Sequence, residues 1–168
     1  MPRFFLARHA AAVVCAGFVL AGCNTAPNPS AQQSSAEHLW SGRLGLQVDD
    51  PAAQAQSFSA SFQLQGSVQQ GSLQLYSPLG SQVAQLEWLP GAAQLRQGNQ
   101  VTDSTSLPEL LQLSLGTALP IEALFSWLQG IPVAAPGWQV DLSRHAQGRI
   151  TAQRTTPLPQ TSLRVVLH

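Results

Sequence analysis

Residues 57–64, Ser57-Phe58-Ser59-Ala60-Ser61-Phe62-Gln63-Leu64, alternate strictly between polar and apolar side chains. Successive side chains of a strand point to opposite faces, so Phe58, Ala60, Phe62 and Leu64 share one face and the serines and Gln63 the other. A strand with one apolar and one polar face predicts an antiparallel sheet that is wet on one side.

The same period recurs outward from this stretch. Leu44, Leu46 and Val48 alternate with Arg43, Gly45 and Gln47 until Asp49-Asp50-Pro51 breaks the run. Leu73 and Leu75 follow, then Ala84, Leu86 and Trp88 against Gln85 and Glu87, then Ala93 and Leu95 between turns at Pro90-Gly91 and Gly98-Asn99. After Pro136-Gly137 the pattern returns with Trp138, Val140 and Leu142, then Ile150 and Ala152, and finally Leu163 to Leu167. Close spacing of the strands predicts a meander.

A helical section interrupts the alternation. Ser106-Leu107-Pro108-Glu109 has the S-x-x-E form of a capping box, Leu107, Leu110, Leu111 and Leu115 make a helical stripe, and Gly116 is placed for a C-cap. A second helix starts at Leu119-Pro120-Ile121-Glu122, carries Leu124, Phe125, Trp127 and Leu128, and stops at Gly130-Ile131-Pro132. Helices this short are unstable alone, so their apolar faces are expected against the inner side of the sheet. The predicted class is α+β: a curved antiparallel sheet curled part or all of the way around two short helices.

Composition narrows the function. The 168 residues carry no net charge, only 10% are charged, and all eight basic residues are Arg, so no basic footprint for nucleic acid exists. Arg3 and Arg8 precede the apolar run Ala10–Leu20, too short for a spanning helix and of signal-peptide length. It ends in Leu20-Ala21-Gly22-Cys23, which resembles the bacterial lipobox: two small residues for a peptidase groove, then a thiol to accept diacylglycerol. The expected organisation is a leader over 1–22, a lipidated Cys23 and flexible tether over 23–37, rich in Pro, Ser, Gln and Ala, and one domain over 38–168. With the leader gone Cys15 goes too, and no thiol remains for a disulfide, metal site or nucleophile. Asn24 after the cysteine, rather than Asp, resembles the sorting signal for the outer membrane.

The catalytic inventory is poor. His38, His145 and His168 have no metal-ligand spacing, Glu109 and Glu122 suit the first turns of helices, and no G-x-S-x-G, P-loop or dinucleotide fingerprint occurs. No catalytic residue, metal or cofactor is expected, apart from covalent diacylglycerol and an N-acyl group on Cys23. Large apolar groups are abundant instead: Phe58, Phe62, Trp88, Trp127 and Trp138 either fill a core or line a hollow able to take an acyl chain. One residue fits no structural rule. Ser77-Pro78-Leu79-Gly80 reads as a hairpin tip in which Pro78 and Gly80 suit turn geometry, whereas Leu79 stands where polar residues are usual. It either reaches outward or tucks against its own strands, for instance Tyr76.

In this order the pieces resemble the LolB family of outer-membrane lipoprotein receptors: the lipobox, Gly42-Arg43-Leu44, Ser61-Phe62, Ser77-Pro78-Leu79-Gly80-Ser81, Leu119-Pro120-Ile121, Trp127-Leu128-Gln129-Gly130 with Pro132, and Gly137-Trp138-Gln139-Val140. The resemblance implies an incomplete β-barrel whose apolar hollow is covered by helices, as in the LolA/LolB lipoprotein-localisation fold. It implies a non-catalytic, monomeric protein, lipid-anchored in the outer membrane and facing the periplasm. Such a protein accepts lipoproteins from a LolA-type carrier, holds their acyl chains and inserts them into the membrane. Leu79, with Pro78 and Gly80, then corresponds to the membrane-inserting tip. The hollow would be lined by Leu44, Leu46, Phe58, Phe62, Leu64, Leu75, Leu86, Trp88, Leu110, Leu124, Trp127, Leu128 and Trp138. Between Gly130 and Trp138 the chain is shorter than the family pattern and its end lacks a closing tryptophan, so a shortened member with a smaller sheet and a more open hollow is expected. The alternative is an anchored structural or assembly lipoprotein with a filled core and no ligand.

Overall fold

The alternation becomes nine antiparallel strands in one sheet, ordered β6-β5-β4-β3-β2-β1-β9-β8-β7. The computed structural model describes residues 38–52 and 54–168, all within one compact unit. The expected leader, Cys23 and tether lie outside the described residues. The strands are β1 (His38–Asp49), β2 (Gln56–Gly66), β3 (Gly71–Tyr76), β4 (Gln82–Leu89), β5 (Ala92–Gln97), β6 (Gln100–Ser104), β7 (Trp138–Asp141), β8 (Arg149–Arg154) and β9 (Gln160–Leu167). Consecutive strands pair except at β6–β7, where helices α1 (Leu107–Leu115) and α2 (Ile121–Leu128) intervene, and β9 returns to pair β1. The sheet stays open, with β6 and β7 as its edges.

Two strand details depart from the sequence reading. β6 was not anticipated beyond the turn at Gly98-Asn99, because its residues are mostly exposed and carry no inward apolar series. Leu142 falls outside β7, which ends at Asp141 where the carboxylate accepts the Ser143 N–H at 2.9 Å. An Asx turn competes with the ladder there.

The helix signals act as read, with one exchange of partners. The Ser106 side chain accepts the Glu109 N–H and Gly116, at φ 66°, closes α1 with its N–H on the Gln112 carbonyl. The Glu109 carboxylate does not reach back to Ser106. It accepts from Ser104 Oγ at 2.6 Å and Thr105 Oγ1 at 2.9 Å, and these hydroxyls, Ser104 foremost, hold its pKa below the usual carboxylate range. Gly130, at φ 80°, ends α2, and a Cβ there would meet the His145 ring at 2.8 Å.

Register defines the two ends of the sheet. His38 pairs with Gly66, Gly66 with Gly71 and Gly71 with Trp88, which marks one end. Val48 pairs with Gln56 and Thr161, Thr161 with Arg154, and Gln97 with Gln100 at the other. The first end is plugged by aromatics: Phe125 of α2 meets Trp40 at 5.6 Å and Trp88 at 6.3 Å, both edge to face. The Trp88 ring lies against Gly71, and its indole N–H donates to the Ser67 carbonyl at 3.0 Å.

A Cβ at Gly71 would stand 2.4 Å from the Gln65 carbonyl and 2.5 Å from the Trp88 ring. Gly71→Ala should therefore lower the unfolding free energy by about 1–3 kcal/mol in urea titrations. Gly45→Ala, whose nearest neighbour would be 3.9 Å away, should change it by less than about 0.5 kcal/mol.

Candidate functional site

The inner face of the sheet is not filled by the helices. Between them lies a cavity of about 440 Å³, in the size range of small-molecule sites. Its wall draws Leu95 from β5 and Leu163 from β9, five strand steps apart and about 24 Å across a flat sheet. Sharing one cavity requires the sheet to curl. Along β2 the wall runs from Leu64 near the aromatic plug to Gln56 at the far end, about 26 Å of extended chain. The chamber is therefore long, with Trp88 and Phe125 at its floor, and at the far end its lining residues Gln56, Gln97 and Ser114 are exposed to solvent, which makes that end its mouth.

Of the residues nominated from sequence, Leu44, Leu46, Phe58, Phe62, Leu64, Leu75, Leu86, Trp88, Leu124 and Leu128 stand on this wall. Leu110, Trp127 and Trp138 do not, and each for a physical reason. Leu110 is fully buried in the helix–sheet contact, while its neighbour Leu111 takes the wall position. Trp127 is 1% exposed and its indole N–H donates to the Val133 carbonyl at 2.8 Å, locking the turn after α2. Trp138 packs 6.2 Å from Trp127 on its other side and receives the Arg154 guanidinium 5.6 Å above its ring. These tryptophans brace the wall from behind.

The wall also includes Val48, Leu73, Ala84, Leu95, Leu107, Leu111, Leu115, Leu119, Ile121, Phe125, Leu163 and Val165. Their signal was in the sequence: the inward series and the α1 stripe contain nearly all of them. What was missing was a means of ranking small and aliphatic residues against the large aromatics.

Arg154 is 6% exposed on the inner side of β8. Its Nη1 donates to the Ala118 carbonyl at 3.0 Å and its Nη2 to Thr117 Oγ1 and to the Pro159 carbonyl at 3.2 Å, while its buried Nε has no partner. Thr117 also bonds Thr161 at 3.1 Å between hydroxyls. This polar knot ties the link between α1 and α2 to the open end of the sheet.

The hairpin between β3 and β4 projects toward the same end as the mouth. The Gly80 N–H donates to the Ser77 carbonyl at 2.9 Å and the Ser77 N–H to the Ser81 carbonyl at 2.8 Å, closing a three-residue loop with Gly80 at φ 82°. Leu79 at its tip is 94% exposed, so it does not tuck against Tyr76.

Among the described residues, the cavity wall holds no ionisable side chain. Among the described residues no three His, Cys, Asp or Glu group as for a metal, and no helix is long and apolar enough to cross a membrane. Besides Glu109, Asp141 is held below the usual carboxylate range, chiefly by the Ser143 hydroxyl and then its N–H, in a turn away from the wall.

The described residues thus form an open, curled antiparallel sheet with two helices over an apolar chamber. The chain belongs to the LolB family: the family profile, described as outer membrane lipoprotein LolB, matches residues 37–163. Two relatives named outer-membrane lipoprotein LolB agree over nearly the whole length. That of Bordetella petrii is 28% identical over 88% of this chain and 84% of its own, and that of Bordetella pertussis is 34% identical over 89% and 86%. The LolB of Dechloromonas aromatica is 30% identical over 73% of this chain and 75% of its own.

The contrast between adjacent leucines of α1 gives a test of the chamber. Leu110→Ala should cost about 2–5 kcal/mol, because it removes packed methyl groups from a full contact. Leu111→Ala should cost under about 2 kcal/mol, because that side chain already faces empty space and has fewer contacts to lose. Equal losses in denaturant titration would mean that the chamber is filled.

Proposed function

We propose that this protein is an outer-membrane lipoprotein receptor, anchored through acylated Cys23 and facing the periplasm. In this reading it takes lipoproteins from a LolA-type carrier, holds their acyl chains in the chamber and passes them into the outer membrane, acting as a monomer without catalysis. The observation that carries the reading is that an empty apolar chamber opens at the same end of the sheet as a hairpin tipped by a fully exposed leucine.

The physics of transfer supports it. Each acyl methylene moved from water into the chamber gains about 0.8 kcal/mol, so a long chain is held firmly yet exchanges into lipid at little net cost. No bond is made or broken, and a wall without ionisable groups suits that task. Leu79 gains about 1.5–3 kcal/mol if it passes from water into hydrocarbon, which favours poses with the mouth against the bilayer. Two or more acyl chains on Cys23 would keep the domain at that surface. The reading of a ligand-free structural lipoprotein requires helix side chains to fill the inner face, and the cavity of about 440 Å³ weighs against it.

Leu79→Glu should leave stability within about 0.5 kcal/mol, since the side chain touches little, and should leave capture of an acylated peptide unchanged. Delivery of that cargo to liposomes should fall severely. Unimpaired delivery would remove the tip from the mechanism, and failure of the parent protein to capture the peptide would overturn the receptor reading.

A further inference from the structure

Several inward series of this fold change character at the open end. In β2 the series Leu64, Phe62, Ala60, Phe58 ends in Gln56, and in β5 Ala93 and Leu95 are followed by Gln97. In α1 the face that carries Leu107 and Leu111 continues to Ser114. All three polar residues are exposed, all stand on the cavity wall at its mouth, and none of their side chains bonds another described residue. They are amides and a hydroxyl, with no charge.

The charges nearest this mouth have the wrong sign for phosphate, are already engaged or, like Arg96 beside Gln94, stand on the outer face of β5. Asp49 and Asp50 follow Val48 directly, beside Gln56 by register. Arg154 is at the same end of the sheet, but its terminal nitrogens are taken by Ala118, Thr117 and Pro159. A phosphate drawn to the mouth would meet the like charge of Asp49 and Asp50 beside Gln56 and no cation free to balance it. Ester and amide carbonyls need only neutral donors, which Gln and Ser supply.

We propose that Gln56, Gln97 and Ser114 form a head-group filter that accepts acyl chains borne on a neutral ester or amide head, as on an acylated cysteine, and rejects chains borne on an anionic phosphodiester. The filter rests on the acyl-chain reading above and adds which lipids the mouth admits. It lets a receptor held against a phospholipid membrane keep its chamber free for cargo.

The test uses three probes on the purified protein: diphenylhexatriene, which has no head, monopalmitoylglycerol, with a neutral ester head, and palmitoyl-lysophosphatidylglycerol, with the same chain and an anionic head. Monopalmitoylglycerol should bind about tenfold or more tighter than the phospholipid, the value of roughly one missing charge-assisted hydrogen bond. Gln97→Arg should tighten the phospholipid about tenfold relative to the headless dye, which reports any change in the chamber itself. The double change Gln56→Leu with Gln97→Leu should weaken monopalmitoylglycerol severalfold relative to the dye. Equal binding of the two lipids by the parent protein, or no response to Gln97→Arg with dye binding intact, would overturn the filter. Binding of none of the three would overturn the acyl-chain reading and the filter together.

Discussion

A mismatch in area governs this structure. All the strands but the edge strand β6 present one apolar face, and the cover consists of helices of nine and eight residues. The hydrophobic effect curls the sheet around its cover, but rigid side chains stop the collapse before the space is filled. Phe125, set edge-on between Trp40 and Trp88, is the spacer: it fixes where α2 stops above the sheet. The tryptophans behind the wall serve the same end. Trp127 donates its indole N–H to the Val133 carbonyl and Trp138 takes the Arg154 guanidinium over its ring, so both are held by partners outside the cavity wall.

The outer face solves a different problem with the same economy. It has no lysine, and its polar groups are joined by short amide and carboxylate bonds: Gln94 to Asp103 at 2.7 Å across β5 and β6, Arg96 to Gln94 at 2.7 Å, and Gln85 to Glu87 at 2.8 Å. Each of these bonds joins a neutral amide to one ionised group, so no attraction between two full charges is there for salt to screen, as it would in an ion pair. The edge strand β6 is short and exposes Gln100, Thr102 and Asp103, which discourages pairing with a further strand.

Legibility differed between fold and site. The strands with an inward apolar series, the Ser106 cap, the Gly116 stop and the tight turn at Gly80 were all readable, because each depends on neighbours a few residues away. β6 was not, since an exposed edge strand needs no apolar period. Size misled within the site. Tryptophan is the largest apolar side chain, so Trp127 and Trp138 looked like wall, yet an indole N–H seeks a carbonyl and drew Trp127 into the turn at Val133. Leu110 and Leu111 differ by one position, or about 100° of helix, and only the packing of α1 on β5 and β6 separates core from wall.

By itself the sequence determined a one-sided antiparallel sheet, two short helices interrupting its strands, a turn tip carrying Leu79, and kinship with LolB. These follow from local periods and turn chemistry, in which every residue answers to near neighbours. The tertiary structure alone decided that the sheet stays open, that the inner face is left partly empty, and that mouth, polar rim and Leu79 share one end. Those outcomes depend on how much apolar surface remains after distant strands and helices have met, and no stretch of chain carries that sum.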